Sequence, residues 1–379
     1  MRILHAIGSF LPVKGGGPYY VHHLSRHLEK RGHDCVVVTT TEGGHAETDT
    51  VPVCRSRSIN VTGAPLAPGY PVTLERAIRS FEPDVIHSNY PLPLYPEVAA
   101  VAARAHDIPH VVTCHGAFEM SLDSFVGLVG SVYNRSLLRG TLRLADCLLV
   151  SNRGILEEIE FYQRYRDKTS VVPIGVDTDW FDPAAVDSDP PYKATDGRRT
   201  VMYAGAFRRY KGLGTLIRAV DRLDRDSDVR LVLVGDGPER DRLVDLVDRL
   251  NLSDTVQFPG FVTDEELRRA YADADVFILP SPTITESFGM VVLEAMAMAT
   301  PVVTTRGSGI GRVLREESAG VVVEPDSPER LANGITRLLD NDELYRNQRD
   351  AGTELVRDRF SWTEVIDQNI SVYRRLTEI

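Results

Sequence analysis

The chain has 379 residues and carries 54 Asp and Glu against 43 Lys and Arg, a formal net charge of −11. Hydrophobic residues make up 42% and charged residues 26%, the mix of a globular chain long enough for two domains. The acidic balance speaks against a general nucleic-acid surface, and no apolar run approaches the roughly 18 residues of a membrane span. Four scattered cysteines (Cys35, Cys54, Cys114, Cys147) show no CxxC spacing. They read as buried reduced thiols rather than a disulfide framework or zinc site. The start, MRILHAIGSF, runs straight into a strand without the apolar core of a signal peptide, so a cytoplasmic location is expected.

In chain order, ILHAIG predicts a strand, followed by a glycine-rich loop and a helix from about Tyr19 to Lys30 that Gly32 ends. CVVVTT is the next strand. The stretch from Gly43 to Pro71 is rich in Thr, Pro and Gly, with one short strand near VPVCRS. A helix at 72–81 precedes the strand DVIHSN, a helix at 95–106 precedes HVVTCHG, and a long helical stretch at 122–145 precedes CLLVSN. The short helix GILEEIEFY then leads to SVVPIG. DTDWFDPAAVDSDPPYKATDGRR has no period and reads as a linker. Beyond it the alternation restarts: VMYAGA, helix 212–224, RLVLVGDG, helix 238–250, VQFPGF, helix 264–272, DVFILP, helix 288–298, PVVTT, a turn, VVVEP and helix 328–340. From Asp342 onward the pattern is helical throughout. Short β-branched strands alternating with helices imply α/β architecture with parallel sheets. The economical division is two Rossmann-like halves facing a cleft: residues 1–180, a linker at 181–198, residues 199–360, and a final helix at 361–379.

In such sheets, ligands bind beyond the carboxyl ends of the strands, so chemistry belongs in the loops that follow them. The first loop, Lys14 to Tyr20, reads KGGGPYY. Its glycines let the backbone approach a ligand, and the helix start behind them favours an anion; the alternative is a flexible turn. It does not match GxGxxG, and no acidic residue closes the second strand for a ribose, so a nicotinamide dinucleotide fold is not expected. His115 closes the strand in TCHG, where a neutral imidazole can bond a sugar hydroxyl or phosphate oxygen, or serve structure alone. His5, His22, His23 and His87 have no ligand set around them and read as structural.

The second half opens with AGAFRRYKGLGTLI, which puts Arg208, Arg209 and Lys211 at a strand-to-helix junction. Two planar guanidinium forks and a point charge beside a helix start suit a diphosphate; a solvated surface is the alternative. SPTITESFGMVVLEAMAMATPVV places Glu286 just ahead of a helix start and Glu294 within the helix, in an E-x7-E spacing. The two can reach one ligand only if Glu286 sits in the preceding loop. The amides of Phe288, Gly289 and Met290 then face the same space, giving amides for phosphate and carboxylates for vicinal hydroxyls. A helix-capping role for Glu286 is the plainer alternative.

At these residues the chain resembles the family 4 glycosyltransferases of GT-B fold, over nearly its whole length. The E-x7-E motif with EAMAMATPVV is its most specific mark. GGGP, KRGHDCVVVTT, DVIHSN, TCHG, VVPIGVDTDWFDP, KGLGTLI, LVGDGPE, FPGFVTDEEL and a terminal FSW support it. The resemblance implies two Rossmann-like domains, with the last helix returning to the N-terminal one. It implies retaining transfer from a nucleotide-diphosphate sugar, UDP- slightly ahead of GDP-, without a metal or other cofactor. Lys211, with Arg208 or Arg209, would bind the diphosphate. Glu294 would hold the nucleotide ribose, and Glu286 and His115 the donor sugar. Gly16 and Gly17 would lie near phosphate and acceptor, and Phe261 and Val262 near the base. Asp177-Thr178-Asp179 falls in the segment joining the domains, so it is not read as a metal motif. Three positions depart from the family's frequent residues: Ala206 for Arg, Ile174 for Asn, and Arg312 for Glu.

The expected acceptor is a glycan or lipid-linked molecule. Arg135, Arg139 and Arg143 recur every fourth residue among leucines, after the apolar FVGLVGSVY. Such a stripe can seat on an anionic membrane, at the inner face of the plasma membrane, or can be a solvated helix face. The competing functional readings are another GT-B enzyme, such as an epimerase or phosphorylase, and a non-catalytic sugar-nucleotide-binding or scaffold subunit derived from a transferase.

Overall fold

A computed structural model describes residues 1–13, 15–42, 51–61, 64–90, 92–115, 137–186, 197–223 and 229–378. The chain separates into two compact units, Met1–Gly175 with Trp362–Ile379, and Val176–Ser361.

The strands of the first unit are β1 (Arg2–Ala6), β2 (Asp34–Thr40), β3 (Val53–Ser56), β4 (Ile59–Val61), β5 (Ala64–Leu66), β6 (Val85–Tyr90), β7 (His110–Cys114), β8 (Cys147–Val150) and β9 (Thr169–Val171). Seven form a sheet of order β3-β2-β1-β6-β7-β8-β9, with every pairing parallel. β4 and β5 make a separate antiparallel hairpin. The second unit holds β10 (Arg199–Ala204), β11 (Val229–Val234), β12 (Val256–Gly260), β13 (Val276–Leu279), β14 (Val302–Thr305) and β15 (Val321–Val323). Their order is β12-β11-β10-β13-β14-β15, again all parallel. The apolar runs explain this: β6, β11 and β13 are buried along their whole length, as strands covered by helices on both faces must be. The strand order reverses once in each sheet, at β1/β6 and at β10/β13, which are the positions where open α/β sheets receive ligands.

Several expectations need correction. The proposed linker starts too late: Val176 already belongs to the second unit. Val176 pairs with Ser361 in a parallel bridge, and the buried ring of Phe181 meets Tyr271 edge-on at 6.1 Å. Packing of these apolar side chains draws 176–186 onto the second unit; 187–196 lie outside the described residues. The turn expected after PVVTT is a helix, Gly309–Glu316, which Ser308 caps by accepting from the Gly311 amide at 3.2 Å. Its two glycines, with Gly307 just before the cap, hid it, although the Ser cap was readable. The tail is not helical throughout. The helix Asp342–Leu355 passes through a wider turn at Val356–Phe360 and breaks at Ser361, before the last helix, Trp362–Thr377. The hairpin β4–β5 was missed because its strands are only three residues each. GILEEIEFY is two pieces, Arg153–Glu158 and Glu160–Gln163. Of the helix expected at 122–145, the described part is Leu137–Leu144.

The last helix belongs to the first unit. Arg31 pairs with Asp367 at 2.8 Å, and the Tyr373 hydroxyl lies 2.7 Å from His87 Nδ1. Trp362 stacks on His23 and His27. All four cysteines are free thiols. Among the described residues no helix is long and apolar enough to cross a membrane.

Candidate active site

The second unit's switch point is built from two loops that touch. After β10 the chain runs from Gly205 to Gly212, and after β13 from Pro280 to Gly289. Gly212 has φ +72°, and a Cβ there would fall 2.3 Å from the Pro280 carbonyl oxygen, so only glycine lets the loops meet. Gly235, φ +124°, does the same for the loop after β11, where a Cβ would lie 2.1 Å from the Gly205 carbonyl oxygen. The sequence LVGDG therefore supports the first loop from behind.

This closeness brings Lys211 and Glu286 together. The Lys211 ammonium donates to Glu286 Oε2, and both side chains are nearly buried. Lys211 ends a short 3-10 turn, Arg209–Lys211, with Arg208 and Arg209 exposed beside it. Glu286 lies in the loop, as expected, and its backbone is fixed on both sides: its amide bonds Thr283 O at 3.1 Å, and its carbonyl accepts from the Gly309 amide at 2.8 Å. The helix behind it starts at Met290 rather than 288, with Gly289 as a left-handed cap at φ +78°. The Met290 amide is thus among the donors left open at a helix start. The Phe288 side chain points into the core, edge-on to Phe360 at 5.7 Å, so only its backbone faces the loop.

Glu294, expected two turns into that helix, comes just over one turn in, because the helix starts at Met290, and it is buried. Its Oε2 accepts from the Tyr271 hydroxyl at 2.8 Å. Burial raises its carboxyl to about 7, the Tyr271 bond favours the charged form, and Asp264 disfavours it. Tyr203 stands below the first loop and donates to Ala206 O at 3.1 Å. Burial, then the charge of Glu286, push its phenol well above the ordinary value. Beyond β12, Phe261 is 81% exposed, an apolar face in solvent, and Val262 is half-buried.

In the first unit, Gly16 and Gly17 open the helix Gly16–Lys30 behind the extended Gly15. A Cβ on Gly16 would meet nothing within 4 Å, so nothing in the described fold demands glycine there. His115 follows β7. Its Nε2 lies 2.9 Å from Asn89 Oδ1 and its ring is edge-on to Tyr20 at 5.0 Å. Burial holds it down at about 4, so it is neutral at pH 7. Lys14 and Arg135 lie outside the described residues, as does the apolar stretch before Arg135. Along Leu137–Leu144 the arginines are not equivalent, with Arg139 half-buried and Arg143 exposed. Leu137 and Leu144 are 51% and 42% exposed.

The sequence reading missed Tyr271, Tyr203 and Asn89. Each is set by a contact across strands or helices and not by motif spacing. Tyr271 had one weak signal, a polar-tipped aromatic on a helix next to the E-x7-E helix.

Comparison with known proteins fits this construction. The model described as Glycosyltransferase Family 4 matches residues 14–180, and the one described as Glycosyl transferases group 1 matches residues 187–355. A D-inositol 3-phosphate glycosyltransferase of Acidothermus cellulolyticus is 31% identical, over 95% of this chain and 85% of its own. An uncharacterized glycosyltransferase of Methanocaldococcus jannaschii is 32% identical over 48% of this chain, and the match spans 47% of that protein. Among solved structures, the Anabaena protein Alr3699/HepE in complex with UDP has a TM-score of 0.77 at 20% identity, covering 99% of this chain and all of its own. The chain belongs to the family 4 glycosyltransferases, of GT-B fold.

Proposed function

We propose that this chain is a retaining transferase that moves a hexose-type sugar from a nucleotide-diphosphate sugar to an acceptor hydroxyl, in the synthesis of a glycan, glycolipid or cell-surface polysaccharide. The observation that carries the reading is the meeting of Lys211 and Glu286 at the β10/β13 switch point, with Glu294 in the helix that follows. In this reading Lys211, with Arg208 or Arg209, neutralises the donor diphosphate as the sugar–phosphate bond breaks. The amides of Phe288, Gly289 and Met290 add fixed dipoles, and the transfer runs without a metal. Glu294 takes the ribose hydroxyls. Phe261 and Val262 lie along the base, whose contacts we assign to backbone groups. Glu286 holds the sugar hydroxyls. Lys211 shields Glu286 until donor binds, so that donor entry exchanges one ion pair for another.

The first unit supplies His115 to the donor sugar and the Gly16–Gly17 backbone near phosphate and acceptor. Attack and departure share one face of the sugar. The acceptor oxygen bonds the anomeric carbon as the phosphate oxygen leaves, and that phosphate oxygen takes the acceptor proton. Glu286 positions the sugar and steadies its developing positive charge, rather than acting as a covalent nucleophile. UDP is the first nucleotide to test, ahead of GDP. A thermal-shift panel of nucleoside diphosphates and their sugars names the donor, since a ligand at 100 times its Kd stabilises by about 2.7 kcal/mol. Absence of a shift with every nucleotide in folded protein would turn the reading toward a scaffold.

For the acceptor we propose a lipid or lipid-linked glycan reached at an anionic membrane through Arg135, Arg139 and Arg143. Flotation with anionic liposomes tests this: reversing the three arginines to glutamate should abolish it, and equal flotation of both proteins would remove the membrane from the account.

A further inference from the structure

Glu294 is held by a side chain that the transfer chemistry does not use. Tyr271 is fully buried on the helix Asp264–Asp273. Its hydroxyl donates to Glu294 Oε2 at 2.8 Å. Phe277 and Phe181 pack against its ring at 5.5 and 6.1 Å. Its carbonyl accepts from Thr300 Oγ1 at 2.5 Å, and the Thr300 amide bonds Ala295 O at 2.9 Å, at the end of Glu294's own helix. The two helices are thus tied to each other by backbone and side chain. Phe181 is fixed in turn through Arg268, whose guanidinium covers the Trp180 ring at 4.5 Å and donates to Trp180 O at 3.1 Å and Ala185 O at 3.3 Å.

A carboxylate has two oxygens, and a ribose offers two vicinal hydroxyl donors. We infer that Tyr271 is a positioning residue for the nucleotide: it engages one oxygen of Glu294, turns the other toward the ribose, and so sets the preference for ribose over 2′-deoxyribose. The inference rests on the nucleotide-binding reading of Glu294. The titratable groups that act on Glu294 are Tyr271 and Asp264, both on the same helix; Phe181, Phe277 and Thr300 carry no charge. Removing the phenol oxygen frees the carboxylate to turn and withdraws a bond that favours its ionised form.

The test is calorimetric titration of UDP, GDP and their 2′-deoxy counterparts into wild type, Tyr271→Phe, Glu294→Gln and the double variant, at pH 7 and 8.5. Tyr271→Phe should weaken the ribonucleotide by about tenfold at pH 7, the scale of one hydrogen bond to a charged group. The deoxynucleotide should change little, part of the loss should return at pH 8.5, and the effect should vanish in the Glu294→Gln background. Phe181→Leu, which loosens the ring without touching Glu294, should move the ribose preference the same way by less. An equal loss for ribo- and deoxynucleotide, or the same loss in the Glu294→Gln background, would overturn the inference by reducing Tyr271 to packing. Wild type that binds neither UDP nor GDP would overturn the nucleotide reading itself, and the inference with it.

Discussion

Both units carry a parallel sheet whose strand order reverses once, yet they load that frame with different chemistry. In the second unit the strands beside the reversal, β10 and β13, are lined by apolar side chains such as Val201, Met202, Phe277 and Ile278. Lys211 meets Glu286 in the loops after these strands, and the ionisable side chains buried within the sheet include Tyr203 on β10 and Arg230 on β11 but no histidine among the described residues. The first unit puts histidines inside the sheet: His5 on β1, His87 on β6 and His110 on β7 are all fully buried. Burial pushes His5 and His110 down to about 3 and His87 well below the ordinary value. They are neutral polar fillers. His87 is shared between Tyr373 and Thr113 at 2.7 Å each, and His110 meets Ser88 at 2.8 Å. Neither ring nitrogen of His5 has a hydrogen-bond partner among the described residues. A residue type alone therefore does not mark a site. Placement at a strand end rather than within a strand separates Lys211 and Glu286 from these histidines.

The sharpest way to break this comparison is at Glu286. Glu286→Ala should lower sugar transfer by about 10³-fold, the scale of losing one electrostatic contact to a transition state. Nucleoside diphosphate affinity should stay within a few-fold. Turnover and titration on one preparation check it, and full activity would mean the site lies elsewhere. Lys211→Met comes next. It should weaken diphosphate binding by about 10²-fold, and it should destabilise the ligand-free second unit by about 3 kcal/mol, because Glu286 is left nearly buried without its partner. Adding Glu286→Gln should restore most of that stability without restoring binding. Equal melting of Lys211→Met and wild type would show that the pair is not a unit in solution.

What the sequence makes legible follows the same division. Alternating apolar strands and helices suffice for both parallel sheets, because periodicity and burial are local properties. Gly212 and Glu286 are readable for a related reason: a tight strand-to-helix loop demands particular residues at particular offsets. Contacts between distant elements are not local. The bond from Tyr271 to Glu294 spans 23 positions, and nothing in either segment announces it. The move of 176–186 onto the second unit escaped notice because prolines and aspartates read as linker, while Phe181 and Trp180, which bind it down, are lone aromatics with no period. The helix Gly309–Glu316 shows the opposite failure, a local signal overruled by glycine content although Ile310 and Leu314 share a buried face.

The finest test of the contrast is pH, since the two units should respond with opposite signs. His5 and His110 titrate at about 3 when folded and near 6.5 when unfolded. Between those values the unfolded state holds more protons, so the stability they contribute is complete above 6.5 and is lost as pH falls. From pH 7.5 to 5.5 each should cost the first unit about 1 kcal/mol. Glu294 runs the other way, because burial raises its folded value to about 7, above the 4.5 of a free glutamate. The folded state then holds the extra proton, so Glu294 favours folding below 4.5 and loses that advantage as pH rises through 7. Over the same interval it should give the second unit about 1 to 2 kcal/mol on acidification. Hydrogen exchange read separately on β1 and β6 and on β10 and β13 measures both slopes in one sample. His5→Leu should remove its own share of the first slope, leaving that of His110, because it replaces a buried ring without a hydrogen bond by a side chain with nothing to protonate. Glu294→Gln should flatten the second and leave the first unchanged. If both units soften in parallel on acidification, and neither variant alters its own slope, then surface charge and not the buried histidines and carboxyl governs the response, and the contrast between the two interiors has no energetic consequence.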